Sequence, residues 1–136
     1  MARYEHIQVF QIVYRATIKV YNSVSGFNKE YKYTLGEKMK LICHELIDLI
    51  IETNSSVNKN GYFDILRKKL ESLRIYYKIA IDLNACDTEL FKNLSFDFNE
   101  ISKQMNNWQN WAKNPKSSSP DPARVPEFKN LGSVQK

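Results

Sequence analysis

Residues 34–54, TLGEKMKLICHELIDLIIETN, decide the fold. Leu35, Met39, Ile42, Leu46 and Leu49 step by four, three, four and three, which places all five on one side of an α-helix. A strand would alternate instead. Thr34 followed by Glu37 has the form of a capping box, with the hydroxyl accepting from the backbone at position 37 and the carboxylate reaching back. Gly36 then sits in the first turn, where glycine costs less than the roughly 1 kcal/mol of a helix interior.

The same rhythm continues on both sides of this segment. Downstream, FDILRKKLESLRIYYKIAIDLN (63–84) carries Leu66, Leu70, Leu73, Tyr77 and Ala80. TELFKNLSFDFNEISKQMNNWQNWA (88–112) carries Leu94, Phe98, Ile101, Met105, Trp108 and Ala112. Upstream, YEHIQVFQIVYRATIKVYNSV (4–24) is richer in β-branched residues, yet Ile7, Phe10, Tyr14, Ile18 and Tyr21 keep helical spacing. Asn54 and Asn84 suit helix C-termini, and Asp87 suits an N-cap with Glu89 against the macrodipole. All four prolines fall at or after position 115, and Gly26, Gly61 and Gly132 lie in apparent loops or tail. The expected architecture is all-α: an antiparallel up-down-up-down four-helix bundle over 1–112 and a Ser/Pro-rich flexible tail over 113–136.

Hydrophobic residues make up 43% of 136, enough for a core, and no apolar run reaches the roughly 18 residues of a membrane span. The opening MARYEHIQVF is charged where a secretory leader would be apolar. Cys43 and Cys86 are therefore expected to be reduced thiols of a cytoplasmic protein with no membrane association.

The third helix has more apolar surface than one bundle needs. At 100° per residue its main series clusters near one direction, and Ile65, Tyr76, Ile79 and Leu83 gather roughly 110° away. Two stripes imply cover on two sides, and in so small a chain the second cover is expected from another subunit. Tyr76 and Trp111 are expected at such contacts; Tyr77 and Trp108 fall at core positions.

Charge is blocked along the chain. Residues 1–40 and 59–78 each carry a net +4, residues 41–58 and 79–112 each −3, and the tail +3, giving +5 overall. Arg67, Arg74 and Lys78 fall close to one line of the third helix with Lys68 alongside, and Glu71 is placed to pair with Arg67 or Arg74. A charge run is usually a solvated face; if this one binds nucleic acid, Arg67, Lys68, Arg74 and Lys78 carry the contact, with Lys38 and Lys40 second.

Catalytic chemistry has little to stand on. His6 and His44 are the only histidines, adjacent Cys43 and His44 cannot share one helix face, and no second pair completes four metal ligands. Glu45, Asp48 and Glu52 have helical spacing, but a di-metal bundle needs Glu-x-x-His elements, which are missing. No phosphate-binding glycine loop or nucleophile elbow is present. No cofactor or metal is expected.

FNKEYKYTLGEKMKLICHELIDLIIETN (27–54), LESLRIYYKIAIDLN (70–84) and FNEISKQMNNWQNW (98–111) together resemble the Avd family, the accessory variability determinants of diversity-generating retroelements. The similarity covers about Arg15 to Ala112, and its most specific block runs from Glu30 to Glu37, with Leu73-Arg74 and Asp82-Leu83 in matching order. Asn28 stands where similar sequences tend to have Pro, and Asn106-Asn107 where they tend to have Gly-Gly. The resemblance implies a four-helix bundle forming a barrel-like homopentamer with a basic surface. It implies binding to the element's reverse transcriptase and its template RNA in support of mutagenic complementary-DNA synthesis, without catalytic activity. It also makes Gly36 a family feature, expected at a close backbone approach in the subunit interface. A related bundle family, encoded in intervening sequences of bacterial ribosomal RNA genes, is the alternative, as is a protein-protein adaptor.

Overall fold

Four long helices account for most of the chain in the computed structural model, which describes residues 8–85 and 89–113. They are α1 (Gln8–Ser25), α2 (Glu37–Ser55), α3 (Asn60–Asp82) and α4 (Glu89–Lys113), with no strand among the described residues. Each packs against the next, and α4 returns to α1. The expected caps at Asp87 and everything after Lys113, the tail included, lie outside the described residues.

The core is the sum of four helix stripes. Met39, Ile42 and Leu46 of α2, Leu66, Leu70, Leu73 and Ala80 of α3, and Leu94, Phe98, Ile101, Met105 and Trp108 of α4 are buried at the positions their spacing predicts. Tyr77 is half-buried, edge-on to Phe98 at 5.2 Å. In α1 the spacing misleads. Its buried face is Val9, Val13, Ala16, Val20 and Val24 together with Phe10 and Ile12, whereas Tyr14, Ile18 and Tyr21 of the expected stripe are exposed. Both sides of α1 are apolar, so periodicity alone cannot say which side meets the core.

The turn into α2 also departs from expectation. Asn28 begins a short helical turn, Lys29–Tyr31, and a π-helical turn, Lys32–Gly36, leads directly into α2. Thr34 lies inside this continuous spiral, and its hydroxyl donates to the Glu30 carbonyl at 3.0 Å, so there is no capping box. A π turn accommodates one extra residue, which resets the helix register. Gly36 has ordinary helical angles (φ −62°, ψ −43°). Its absent side chain is what counts: a Cβ there would lie 2.5 Å from Val24 Cγ1. The close approach is thus to a buried side chain of α1 in the same protomer, and Gly36 belongs to the internal core rather than to a subunit surface. Asn28 donates its N–H to the Ala85 carbonyl at 3.2 Å, a bond that proline could not make.

At the other ends, α2 runs one residue past Asn54. Its terminal carbonyls are satisfied by Lys59, whose Nζ reaches Thr53, Asn54 and Ser56 at 3.2, 3.3 and 2.7 Å. A cation against the negative end of the helix dipole is favourable. Asn84 closes α3 as expected, in the left-handed conformation (φ 52°). Asn84 N–H donates to the Ile81 carbonyl and Ala85 N–H to the Ala80 carbonyl, the paired bonds of a Schellman motif.

Cys43 is buried between α1 and α2. Burial pushes its thiol from 9.0 up to about 11, and the Thr17 hydroxyl offsets only part of that rise. The thiol therefore favours its protonated form in the fold, a contribution to stability that is complete below pH ~9 and lost as pH rises toward ~11. In a Cys86→Ser background, iodoacetamide at pH 8 is expected to modify native Cys43 far more slowly than the urea-unfolded chain. Equal rates would contradict its burial.

Candidate nucleic-acid interface

Three sides of α3 have different tasks. One side is the core stripe. Toward α4 it presents Arg67 and Arg74. Outward it exposes Ile65 (43%), Ile75 (49%), Ile79 (38%) and Leu83 (44%), with Tyr76 half-buried beside them. The second apolar stripe read from the sequence is therefore solvent-facing in the single chain. Lys68, Glu71, Ser72, Ile75, Tyr76 and Ile79 line a shallow groove along it.

The expected cation line does not form a single row. Arg67 Nη2 donates to Asn106 Oδ1 at 2.7 Å and to Gln109 Oε1. Arg74 Nη2 donates to the Phe98 carbonyl and to Asn99 Oδ1, each at 3.2 Å. Glu71 forms no ion pair with either among the described residues; both guanidinium groups turn to the amide side chains of α4 instead. Neutral partners fix the direction of a guanidinium without cancelling its charge. Asn106, one of the two asparagines standing where the resemblance implies glycines, thus has a polar partner.

Lys68 is exposed on the outer side of α3. Lys78 is exposed and pairs with Asp82 at 3.3 Å, an exposed ion pair that contributes little. Lys38 is exposed near the start of α2, while Lys40 meets Glu37 at 3.4 Å and lies 4.8 Å from the Tyr21 ring centroid. The six predicted cations therefore fall into three groups: a seam with α4 (Arg67, Arg74), the outer side of α3 (Lys68, Lys78) and the start of α2 (Lys38, Lys40).

Acidic residues consume other cations. Lys19 pairs at 2.8 Å with buried Asp97 across α1 and α4, and Lys69 at 2.9 Å with Glu45 across α3 and α2. His44 Nε2 is 2.7 Å from the Tyr21 hydroxyl on an exposed face, with the two rings stacked at 5.8 Å. Glu45 and Glu52 thus face basic and phenolic partners, the latter through Tyr62 at 3.3 Å. Among the described residues no group of three or more His, Cys, Asp or Glu side chains is placed to hold a metal. No helix among them is long and apolar enough to cross a membrane. Trp111 is half-buried against the core and borders a recess with Val57, Asn58, Lys59 and Asn60.

Two features of the surface escaped the sequence reading. Lys103 and Phe96 are exposed on α4, and Phe96 has 65% of its surface in solvent. Phe96, three residues before Asn99, and Lys103, four after it, share its side of the helix, a spacing legible in the sequence. Tyr14, Ile18 and Tyr21 on α1, which share helical spacing with buried Phe10, are exposed, and so is Leu41 of α2. No protein-family model matches the chain, and no curated protein matches it.

Proposed function

We propose that this chain is a non-catalytic nucleic-acid-binding accessory protein of a diversity-generating retroelement. In this reading it engages the reverse transcriptase and its template RNA through the basic side of α3, in the cytoplasm, as a homo-oligomer. The observation that carries the RNA reading is the pair Arg67 and Arg74, held in place by neutral oxygens and so retaining full charge. The retroelement assignment rests on the sequence resemblance to the Avd family, and the pentameric barrel on the same resemblance.

The up-down-up-down topology is supported by the order of contacts across neighbouring helices. Tyr21 meets His44 while Val24 meets the position of Gly36; Glu45 meets Lys69 while Glu52 meets Tyr62; Arg67 meets Asn106 while Arg74 meets Asn99. In each pair one helix ascends as the other descends. The exposed apolar side of α3 supports self-association, because contiguous apolar surface on a small protein marks an interaction site. That same side supports the second reading, a protein-protein adaptor.

Phosphates bound by Arg and Lys release counterions, so affinity should fall steeply with salt and show little base preference. The double substitution Arg67→Ala with Lys68→Ala is expected to reduce the slope of log K against log salt for single-stranded RNA by about 0.7 for each of the two cations that meets a phosphate. The helical circular-dichroism spectrum should stay unchanged. Identical binding by the double variant at every salt concentration would exclude this side of α3. Salt-insensitive capture of the polymerase without RNA would favour the adaptor. Light scattering showing a monomer at micromolar concentration would remove the oligomer.

A further inference from the structure

We infer that the bound nucleic acid is single-stranded RNA, with one base stacked on Phe96 and its phosphates following Arg67, Lys103 and Arg74 along the seam of α3 and α4. This inference rests on the RNA reading above and adds to it the strand state and two residues.

The seam has a regular construction. Arg67 and Arg74 are seven residues apart on α3, and their partners Asn106 and Asn99 are seven apart on α4 in the opposite order. Two rungs result, about 10.5 Å apart along the axis. Lys103 lies between them on α4, three residues from one rung and four from the other, and it has neither a hydrogen bond nor an ion pair among the described residues. Successive cations then stand about 4.5 and 6 Å apart in axial height, comparable with the step between phosphates of a stretched single strand. All the seam bonds made by the two arginines leave from Nη2. The Nη1 and Nε donors remain for a phosphate, and a guanidinium fork suits phosphate oxygens.

Phe96 supplies what a purely electrostatic strip lacks. On the α4 wheel it lies about 60° from Asn99 and about 20° from Lys103, beside the outer edge of the seam. A phenylalanine left 65% exposed about one turn beyond the Arg74–Asn99 rung is not used by the core. An aromatic face beside a cationic track is the arrangement that holds unpaired bases, because every base has a π-face to stack. In a duplex the bases are stacked on each other and cannot use it. Phosphate contacts and stacking carry no base identity, so the strip fits any single strand.

The test is fluorescence anisotropy of the full chain with a labelled single-stranded RNA and with the same RNA annealed to its complement. Phe96→Ala is expected to weaken single-strand binding about 5- to 150-fold, the range of one lost base stack. It should leave the salt slope and duplex binding unchanged, and Phe96→Trp should retain affinity. Lys103→Ala should lower the single-strand salt slope by about 0.7. If the unaltered chain binds neither RNA, the RNA reading itself fails and this inference with it. If it binds RNA but Phe96→Ala and Lys103→Ala behave as the unaltered chain, only the present inference is overturned. A Phe96→Ala change in sedimentation coefficient would also overturn it, since Phe96 would then be a subunit contact.

Discussion

Trp108→Ala is expected to cost about 3–5 kcal/mol of folding stability, since Trp108 is the largest buried side chain among the described residues. Trp108 is only 2% exposed, near the end of α4, and meets the Phe63 ring edge-to-face at 5.3 Å and 88°. Two losses combine. The indole's transfer from water is forfeited, and the space it leaves faces the fully buried Phe63 ring, which cannot collapse freely into it. The aromatic pair adds about 0.5–1.5 kcal/mol beyond area. Since domains of this size are stable by about 5–15 kcal/mol, the variant should unfold well below the urea midpoint of the parent. Trp108→Phe should recover more than half of the loss, because an aromatic ring remains against Phe63. A loss below about 1 kcal/mol for Trp108→Ala, followed by circular dichroism, would contradict its place in the core.

The second large effect is expected at Gly36, and its sign runs against helix propensity. In a helix alanine outperforms glycine by about 1 kcal/mol, and Gly36 has helical angles, so propensity alone predicts stabilisation by Gly36→Ala. Packing predicts the reverse. The added Cβ would stand 2.5 Å from Cγ1 of Val24, which is wholly buried and, being β-branched, has no rotamer freedom to yield. Overpacking of this kind costs about 1–3 kcal/mol. Those two terms leave a net destabilisation of up to about 2 kcal/mol. Val24→Ala removes the clashing methyl, so Gly36→Ala with Val24→Ala should be less destabilised than the sum of the single changes by about 1 kcal/mol or more. Additive effects, or a more stable Gly36→Ala chain, would show that helix α1 does not press on this turn.

Gly36 also illustrates where sequence reading stops. Its block, Thr34-Leu35-Gly36-Glu37, has the letters of a capping box, and the pattern was sufficient to place a helix there. It could not reveal that the helix starts earlier through a π turn, because that depends on Val24 arriving from α1 and on Asn28 bonding to Ala85. In α1, two apolar faces compete in the sequence, and only packing selects Val9, Val13, Val20 and Val24 over Tyr14, Ile18 and Tyr21. Charges behave the same way. Arg67, Arg74 and Lys78 look equivalent on a helical wheel. The amides of α4 then capture two of them, and Asp82 captures the third.

What the sequence by itself determined was everything that depends on neighbours three and four residues apart: four helices, the buried stripes of α2, α3 and α4, the asparagine that closes α3 and the surplus apolar line on α3. These are local, since helical periodicity is a property of one segment. Tertiary structure alone decided which face of α1 is inside, why Gly36 has no side chain, and which cations keep their charge free for a partner. Each of those depends on what a second helix places within a few ångströms, and no spacing within a single segment encodes that distance.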